Sequence, residues 1–149
     1  MEKKRIVLAS DHAGFPLKQA LIGSLREAGY DAIDVGTHSE ESCDYPVYAE
    51  KGCRALLAGD ADLCILCCGT GIGMSMAANK IKGIRCACCG DCFSAEMTRR
   101  HNDANVLALG GRVVGPGLAE KMVDLFLDTP YEGGRHARRV GMVMELENK

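Results

Sequence analysis

The chain has 149 residues, of which 47% are hydrophobic and 26% charged, and its net charge is −2. This length suits one domain with one buried core, so we treat residues 1–149 as a single domain. The small net charge argues against a nucleic-acid surface, and no apolar segment reaches the roughly 20 residues that span a membrane. With no secretory signal, we expect a cytoplasmic protein.

Hydrophobic patterning in the first half predicts alternating strands and helices. The predicted elements are a strand over 5–10, a helix over about 16–28, a strand over 31–35, a helix marked by apolar residues from 49 to 57, and a strand over 63–67. The last strand is almost wholly apolar, as expected of a strand that is covered on both faces.

The second half continues the same alternation. It predicts a glycine-rich turn over 69–73, a helix to about 80, a strand over 84–88, a helix over 94–101, a strand over 105–109, a helix with apolar residues from 118 to 126, and a helical tail over about 134–146. Alternation of this kind predicts an α/β fold, a doubly wound five-stranded parallel sheet of the Rossmann-like kind with helices on both faces.

In such a sheet, the loops that follow the strands lie at one edge, where ligands bind. Asp11 and His12 follow the first strand, and Cys68 begins the glycine loop after the third. Glycines let the backbone approach a ligand, and a following helix offers free N–H groups to a phosphate or an oxyanion. The alternative is a tight turn that binds nothing.

Cys68 is a candidate base or nucleophile, because the positive end of a helix stabilises a thiolate. The alternative is a buried structural cysteine, since the chain has nine cysteines. The odd count and the missing export signal favour reduced thiols. Cys64 and Cys67 have zinc-like spacing, as do Cys89 and Cys92. However, residues three apart in a strand point to opposite faces, so we expect no metal.

Basic side chains complete the set of candidates. His101 could exchange a proton near neutral pH, although a lone histidine is more often a surface residue. Arg135 and Arg139 are four residues apart, so a helix places them on one face, where they could clamp a phosphate. Arg138 and His136 should point elsewhere. Arg112 is a third candidate for binding an anion, and the alternative for all three arginines is a solvated surface.

Six motifs occur in a specific order over essentially the whole chain: SDHAG (10–14), DVGT (34–37), DYP (44–46), CGTGIGMSMAANK (68–80), RRHNDANVLALGGR (99–112) and YEGGRHARRV (131–140). Together they resemble the ribose-5-phosphate isomerase B family, which also includes galactose-6-phosphate and allose-6-phosphate isomerases. The resemblance implies a five-stranded Rossmann-like sheet and a homodimer, or a tetramer of paired dimers, with active sites shared between subunits.

The resemblance also implies the roles of individual residues. Cys68 would move the proton between C1 and C2 of the sugar, and His101 would assist opening of the furanose ring. The residues implied to bind the substrate are Asp11, His12, Gly69, Thr70, Gly71, Ile72, Gly73, Asn102, Arg112, Arg135 and Arg139, with the arginines holding the phosphate. No cofactor is implied.

Some relatives carry a glutamate base at a position that here falls near 74–75, so this chain resembles the cysteine type. The presence of both Cys68 and the His101–Asn102 pair favours a ribose 5-phosphate isomerase of the pentose phosphate pathway. Cys67, a second thiol beside the predicted base, departs from the family pattern, and His38 occupies a variable loop position. The alternatives are an isomerase of a hexose 6-phosphate or a free rare sugar, a non-catalytic sugar-phosphate sensor, and a cysteine-rich metal or redox module.

Overall fold

Five short segments pair in parallel to form the central sheet of the computed structural model, which describes residues 3–149. The strands are β1 (Arg5–Ser10), β2 (Asp31–Asp34), β3 (Leu63–Cys68), β4 (Cys86–Cys88) and β5 (Val106–Gly110). Their order across the sheet is β2-β1-β3-β5-β4. The prediction of a doubly wound five-stranded parallel sheet is therefore confirmed.

Residues 3–149 form six α-helices, of which the first five cover the two faces of the sheet and the last packs against the fourth. They are α1 (Phe15–Glu27), α2 (Tyr45–Leu57), α3 (Ile72–Ala78), α4 (Cys92–Asn102), α5 (Pro116–Asp128) and α6 (Arg135–Glu145), and a 3-10 turn follows at Leu146–Asn148. Proline occupies the first turn of α1, α2 and α5, where its missing N–H costs no hydrogen bond. Among residues 3–149, no helix is both long and apolar enough to cross a membrane.

Strand alternation divides the buried side chains into two cores, one on each face of the sheet. On one face, Ile65 and Cys67 of β3 pack with α1, α4 and α5. On the other face, Cys64, Leu66 and Cys68 pack with α2 and α3. The prediction that Cys64 and Cys67 point to opposite faces is confirmed, so these two thiols cannot bind one metal ion.

Two predicted boundaries are displaced for a reason that the structure makes visible. The edge strand begins at Cys86 rather than at 84, and α3 ends at Ala78 rather than near 80. After Asn79 the backbone N–H groups of Lys80 and Ile81 donate to the third residue back, and the Asn79 side-chain amide accepts the N–H of Cys86 at 2.8 Å and donates to its carbonyl at 3.0 Å. The side chain thus links the end of α3 to the start of β4.

Helix α6 is the least covered element of the fold. None of its side chains is buried, and Met142, Val143 and the following Leu146 are more than half exposed. Its apolar side chains therefore form a contiguous exposed patch on a strongly amphipathic helix, which is a feature typical of an interaction surface.

The packing of α5 gives a test of the core. Phe126 is fully buried, whereas Phe93 is 71% exposed. We expect Phe126→Ala to lower the free energy of unfolding by about 3–5 kcal/mol, because it removes buried apolar surface and leaves a cavity. Phe93→Ala is the matched control and should change it by less than about 0.5 kcal/mol. Urea denaturation of both variants measures the difference, and equal effects would contradict this packing.

Candidate active site

The candidate site lies where the order of the strands reverses, between β1 and β3. From β1 the chain moves outward to β2 and then returns to β3 on the other side of β1. The loops after β1 and β3 therefore diverge and leave a crevice at the carboxyl edge, which is where open α/β sheets bind ligands. Asp11 and His12 lie in the first loop, and the glycine loop that follows Cys68 is the second.

Close backbone contacts join these two loops. The N–H of Asp11 donates to the carbonyl of Cys67 at 3.2 Å, and the Asp11 carboxylate accepts the N–H of Gly14 at 2.9 Å. A β-carbon on Gly14 would lie 2.2 Å from the Cys67 carbonyl oxygen. Only glycine permits this approach, so Gly14 sets the distance between the first loop and the end of β3.

Cys68 ends β3 beneath the glycine loop. Its side chain faces α3, and the residue is 5% exposed. The N–H of Gly71, which adopts a left-handed conformation at the start of α3, donates to Cys68 Sγ at 3.1 Å. The loop therefore places a hydrogen-bond donor on the sulfur that the sequence predicts to be the base.

The neighbouring thiol has the opposite environment. Cys67 points into the core between the sheet and α1, where it is fully buried. Burial raises the pKa of the Cys67 thiol well above its ordinary value, because a thiolate there would lose its hydration. Cys67 is therefore a structural residue, and it leaves Cys68 as the thiol at the crevice.

His12 and Arg112 lie in the loops after β1 and β5, the two strands that flank β3. His12 Nδ1 accepts the N–H of Cys43 at 3.2 Å, so a neutral His12 carries its proton on Nε2. The N–H of Arg112 donates to the carbonyl of Gly69 at 3.0 Å, and its side chain packs over that glycine. The Thr70 hydroxyl accepts the N–H of Ile72 at 3.2 Å.

Asp11, His12, Cys68, Arg112 and the loop over 69–73 thus come together at one edge of the sheet, as the sequence predicts. We call these residues the thiol half-site. Tyr45, which sequence reasoning did not select, also belongs to this region, since a β-carbon on Gly73 would lie 2.7 Å from its ring. The first residue of α2 therefore covers the start of α3.

The remaining candidates lie at the other end of the sheet. His101 and Asn102 end α4, just before β5 begins at Val106, whereas Cys68 pairs with Gly110 at the end of β5. Four residues along a strand span ~13 Å. The structure therefore does not bring the His101 side chain to the Cys68 thiol within one chain.

His101 lines a second concavity, a cleft of about 710 Å³ between α4, α6 and the segment that leads into β4. Asn102 and Arg139 also line it, and Arg135 lies one helical turn before Arg139 on α6. Of the residues that line this cleft in the described range 3–149, none belongs to the thiol half-site. We call His101, Asn102, Arg135 and Arg139 the imidazole half-site.

Two residues that sequence reasoning missed surround His101. The His136 ring stacks on the His101 ring, with centroids 4.2 Å apart and planes 12° from parallel. Glu132 Oε2 lies 3.8 Å from His101 Nε2 and 3.2 Å from His136 Nε2. The expectation that His136 points elsewhere is therefore wrong. Glu132 lies in the loop before α6 rather than on the helix, so no helical spacing in the sequence signals this pair.

The fold and the two half-sites define a small α/β enzyme built on one parallel sheet. The profile of one family, described as Ribose/Galactose Isomerase, matches residues 6–143. Because this match spans most of the chain, the protein belongs to that family.

Similar proteins extend over the full length of the chain. Ribose-5-phosphate isomerase B of Escherichia coli is 48% identical over 146 residues, which cover 98% of each protein. The structure of ribose-5-phosphate isomerase B from Clostridium thermocellum superimposes with a TM-score of 0.95 at 49% identity and covers 97% of both chains. A ribose 5-phosphate isomerase structure from Thermotoga maritima gives the same TM-score and identity, over 97% of this chain and 99% of that one.

Proposed function

We propose that this protein interconverts ribose 5-phosphate and ribulose 5-phosphate. The observation that carries the proposal is the Cys68 thiol, which receives an N–H from the glycine loop at the sheet edge. Full-length similarity to ribose-5-phosphate isomerases of the B type supports the choice of a pentose phosphate. We further propose that the enzyme acts in the pentose phosphate pathway in the cytoplasm.

The proposed reaction moves one proton between adjacent carbons. Cys68, as the thiolate, removes the proton from C2 of the open-chain aldose and returns it to C1, while the proton on the C2 hydroxyl moves to the C1 oxygen. The enediolate formed between these steps carries negative charge on oxygen, which free N–H groups of the glycine loop can stabilise. Before this step, His101 gives a proton to the ring oxygen, the bond from C1 to that oxygen breaks, and the C1 hydroxyl releases its proton to water as the C1 carbonyl forms. No metal or organic cofactor takes part in this scheme.

One chain alone does not supply both parts of this scheme, because the thiol and imidazole half-sites lie at opposite ends of the sheet. We infer a homodimer in which the thiol half-site of one subunit faces the imidazole half-site of its partner. The exposed apolar side chains of α6 support this assembly, since α6 also carries Arg135 and Arg139. Dimerisation would bury these side chains and complete two sites at once.

The arginines have the geometry expected of a phosphate clamp. Arg135 and Arg139 lie one turn apart and are exposed, and Arg112 is exposed beside the glycine loop. Guanidinium groups bind phosphate oxygens through paired hydrogen bonds. In the proposed dimer, the phosphate is held away from C1 and C2, and its binding energy positions the sugar for proton transfer.

The choice of sugar has a direct test. Purified protein should convert ribose 5-phosphate to ribulose 5-phosphate in the presence of a chelator, and far more efficiently than it converts allose 6-phosphate. Ketose formation measured for both sugars gives the two values of kcat/KM. Higher efficiency on the hexose would contradict the pentose proposal while keeping the mechanism. Binding of either sugar without turnover would instead favour a sensor.

The role of the thiol is tested by two adjacent cysteines. We expect Cys68→Ser to lower kcat by at least about 100-fold, because a hydroxyl is a much weaker acid than a thiol and cannot act as the base. Cys67→Ala is the matched control, since the Cys67 side chain points into the opposite core, and it should retain most of the activity. Steady-state kinetics and circular dichroism separate loss of chemistry from loss of fold. Near-normal activity of Cys68→Ser would rule out Cys68 as the base.

The shared site is tested by mixing two defects in one dimer. Chains carrying Cys68→Ser and His101→Asn, each with a different affinity tag, are co-expressed, and the heterodimer is isolated. One of its sites collects both defects and the other has none, so activity should recover to about half of the wild-type value. Both parental homodimers should stay nearly inactive. A heterodimer as inactive as its parents would place both residues of one site in the same chain.

A further inference from the structure

His101, Glu132 and His136 form a compact cluster, which we call the imidazole–carboxylate cluster. One nitrogen of each histidine and one oxygen of the glutamate lie within 4.8 Å of one another. The three residues come from different parts of the chain: the last turn of α4, the loop before α6 and the first turn of α6. Tertiary packing therefore assembles the cluster.

The glutamate is oriented by the helix that carries His101. Its backbone N–H donates to the carbonyl of Arg100 at 3.0 Å, and its Oε1 lies 3.7 Å from the Arg100 guanidinium. This arrangement leaves Oε2 directed at both imidazoles, at 3.8 Å and 3.2 Å. In metal sites, contacts of this kind orient the carboxylate that binds the ion.

His136 has an available donor atom in a mostly buried position. Its side chain is 14% exposed, and its Nε2 lies 3.2 Å from Glu132 Oε2. Nevertheless, within residues 3–149 this nitrogen has no hydrogen-bond partner of acceptable geometry. A buried ring nitrogen without a hydrogen bond costs free energy, and coordination of a metal ion would offset that cost.

We propose that His101, Glu132 and His136 bind a divalent transition-metal ion of the zinc type. Two imidazole nitrogens and one carboxylate oxygen are a ligand set that Zn²⁺ favours, and three protein ligands leave a fourth position open to solvent in the cleft. Imidazole ligands select Zn²⁺, Co²⁺ or Ni²⁺ over Mg²⁺ and Ca²⁺, which require oxygen ligands. Bond lengths near 2.1 Å require the two imidazole rings to turn out of their stacked arrangement, so that both nitrogens point at one ion.

Metal bound here would act as an inhibitor. Coordination removes the lone pair of His101, so the residue could no longer exchange a proton with the sugar. This consequence rests on the function proposed above, whereas the metal site itself does not. The Cys64 and Cys67 pair is not involved, because these two thiols face different cores.

Binding is tested first with Co²⁺, whose visible absorption reports its ligands. Titration of the metal-free protein with Co²⁺ alone should produce visible bands of a low-symmetry site, without the thiolate charge-transfer band that cysteine ligation gives. His136→Gln and Glu132→Gln should each abolish these bands. His38→Gln is the matched control and should keep them, since His38 is an exposed histidine elsewhere. Bands that persist in both cluster variants, or a thiolate band, would overturn the site.

Inhibition is tested next with Zn²⁺ on the intact enzyme. Zn²⁺ should reversibly lower the rate of ribose 5-phosphate conversion, a chelator should restore it, and His136→Gln should lose most of this sensitivity relative to its own metal-free rate. Equal Zn²⁺ sensitivity of the variant and the wild-type protein would overturn inhibition through this cluster. If the wild-type protein has no isomerase activity, the proposed function fails, while the Co²⁺ result still decides the metal site.

Discussion

The central constraint in this structure is the set of backbone hydrogen bonds that ties the loops after β1 and β5 to the end of β3 and its glycine loop. Asp11 donates to the carbonyl of Cys67, Gly111 donates to that of Cys68 at 2.8 Å, and Arg112 donates to that of Gly69. These bonds continue the ladder of the sheet beyond its last residues. Consequently the thiol, the glycine loop and the flanking polar side chains are positioned by the most buried part of the fold rather than by flexible side-chain contacts.

The sequence predicted element bounds and site positions correctly where the local hydrophobic pattern alone determines them. β1 was predicted with its observed bounds, and the thiol half-site followed from the rule that parallel strands place their following loops at one edge. The start of β4 and the end of α3 were missed because they depend on a change of backbone hydrogen bonding after Asn79 and on its side-chain contacts with Cys86, which hydropathy does not report. The position of His136 was missed because the stacking partner, His101, comes from a helix more than 30 residues earlier.

The two half-sites have different structural foundations. The thiol half-site rests on buried strands and close glycine contacts, whereas the imidazole half-site rests on the end of α4 and on α6, which has no buried side chain. In the proposed dimer, the partner subunit would cover α6 and stabilise the position of its arginines. Assembly and catalysis would then depend on the same surface, so a change that weakens the contact between subunits would also disturb phosphate binding.

The two adjacent cysteines at the end of β3 show how much depends on strand register. Cys67 and Cys68 have the same chemical group, and only the alternation of the strand places one in a dry core and the other at the crevice. A slip of one residue would exchange their environments and conceal the reactive sulfur. β3 is held in parallel register by β1 on one side and β5 on the other. The register of the sheet therefore decides which of two identical side chains lies at the crevice. Correct strand pairing during folding is thus a condition for placing the proposed base.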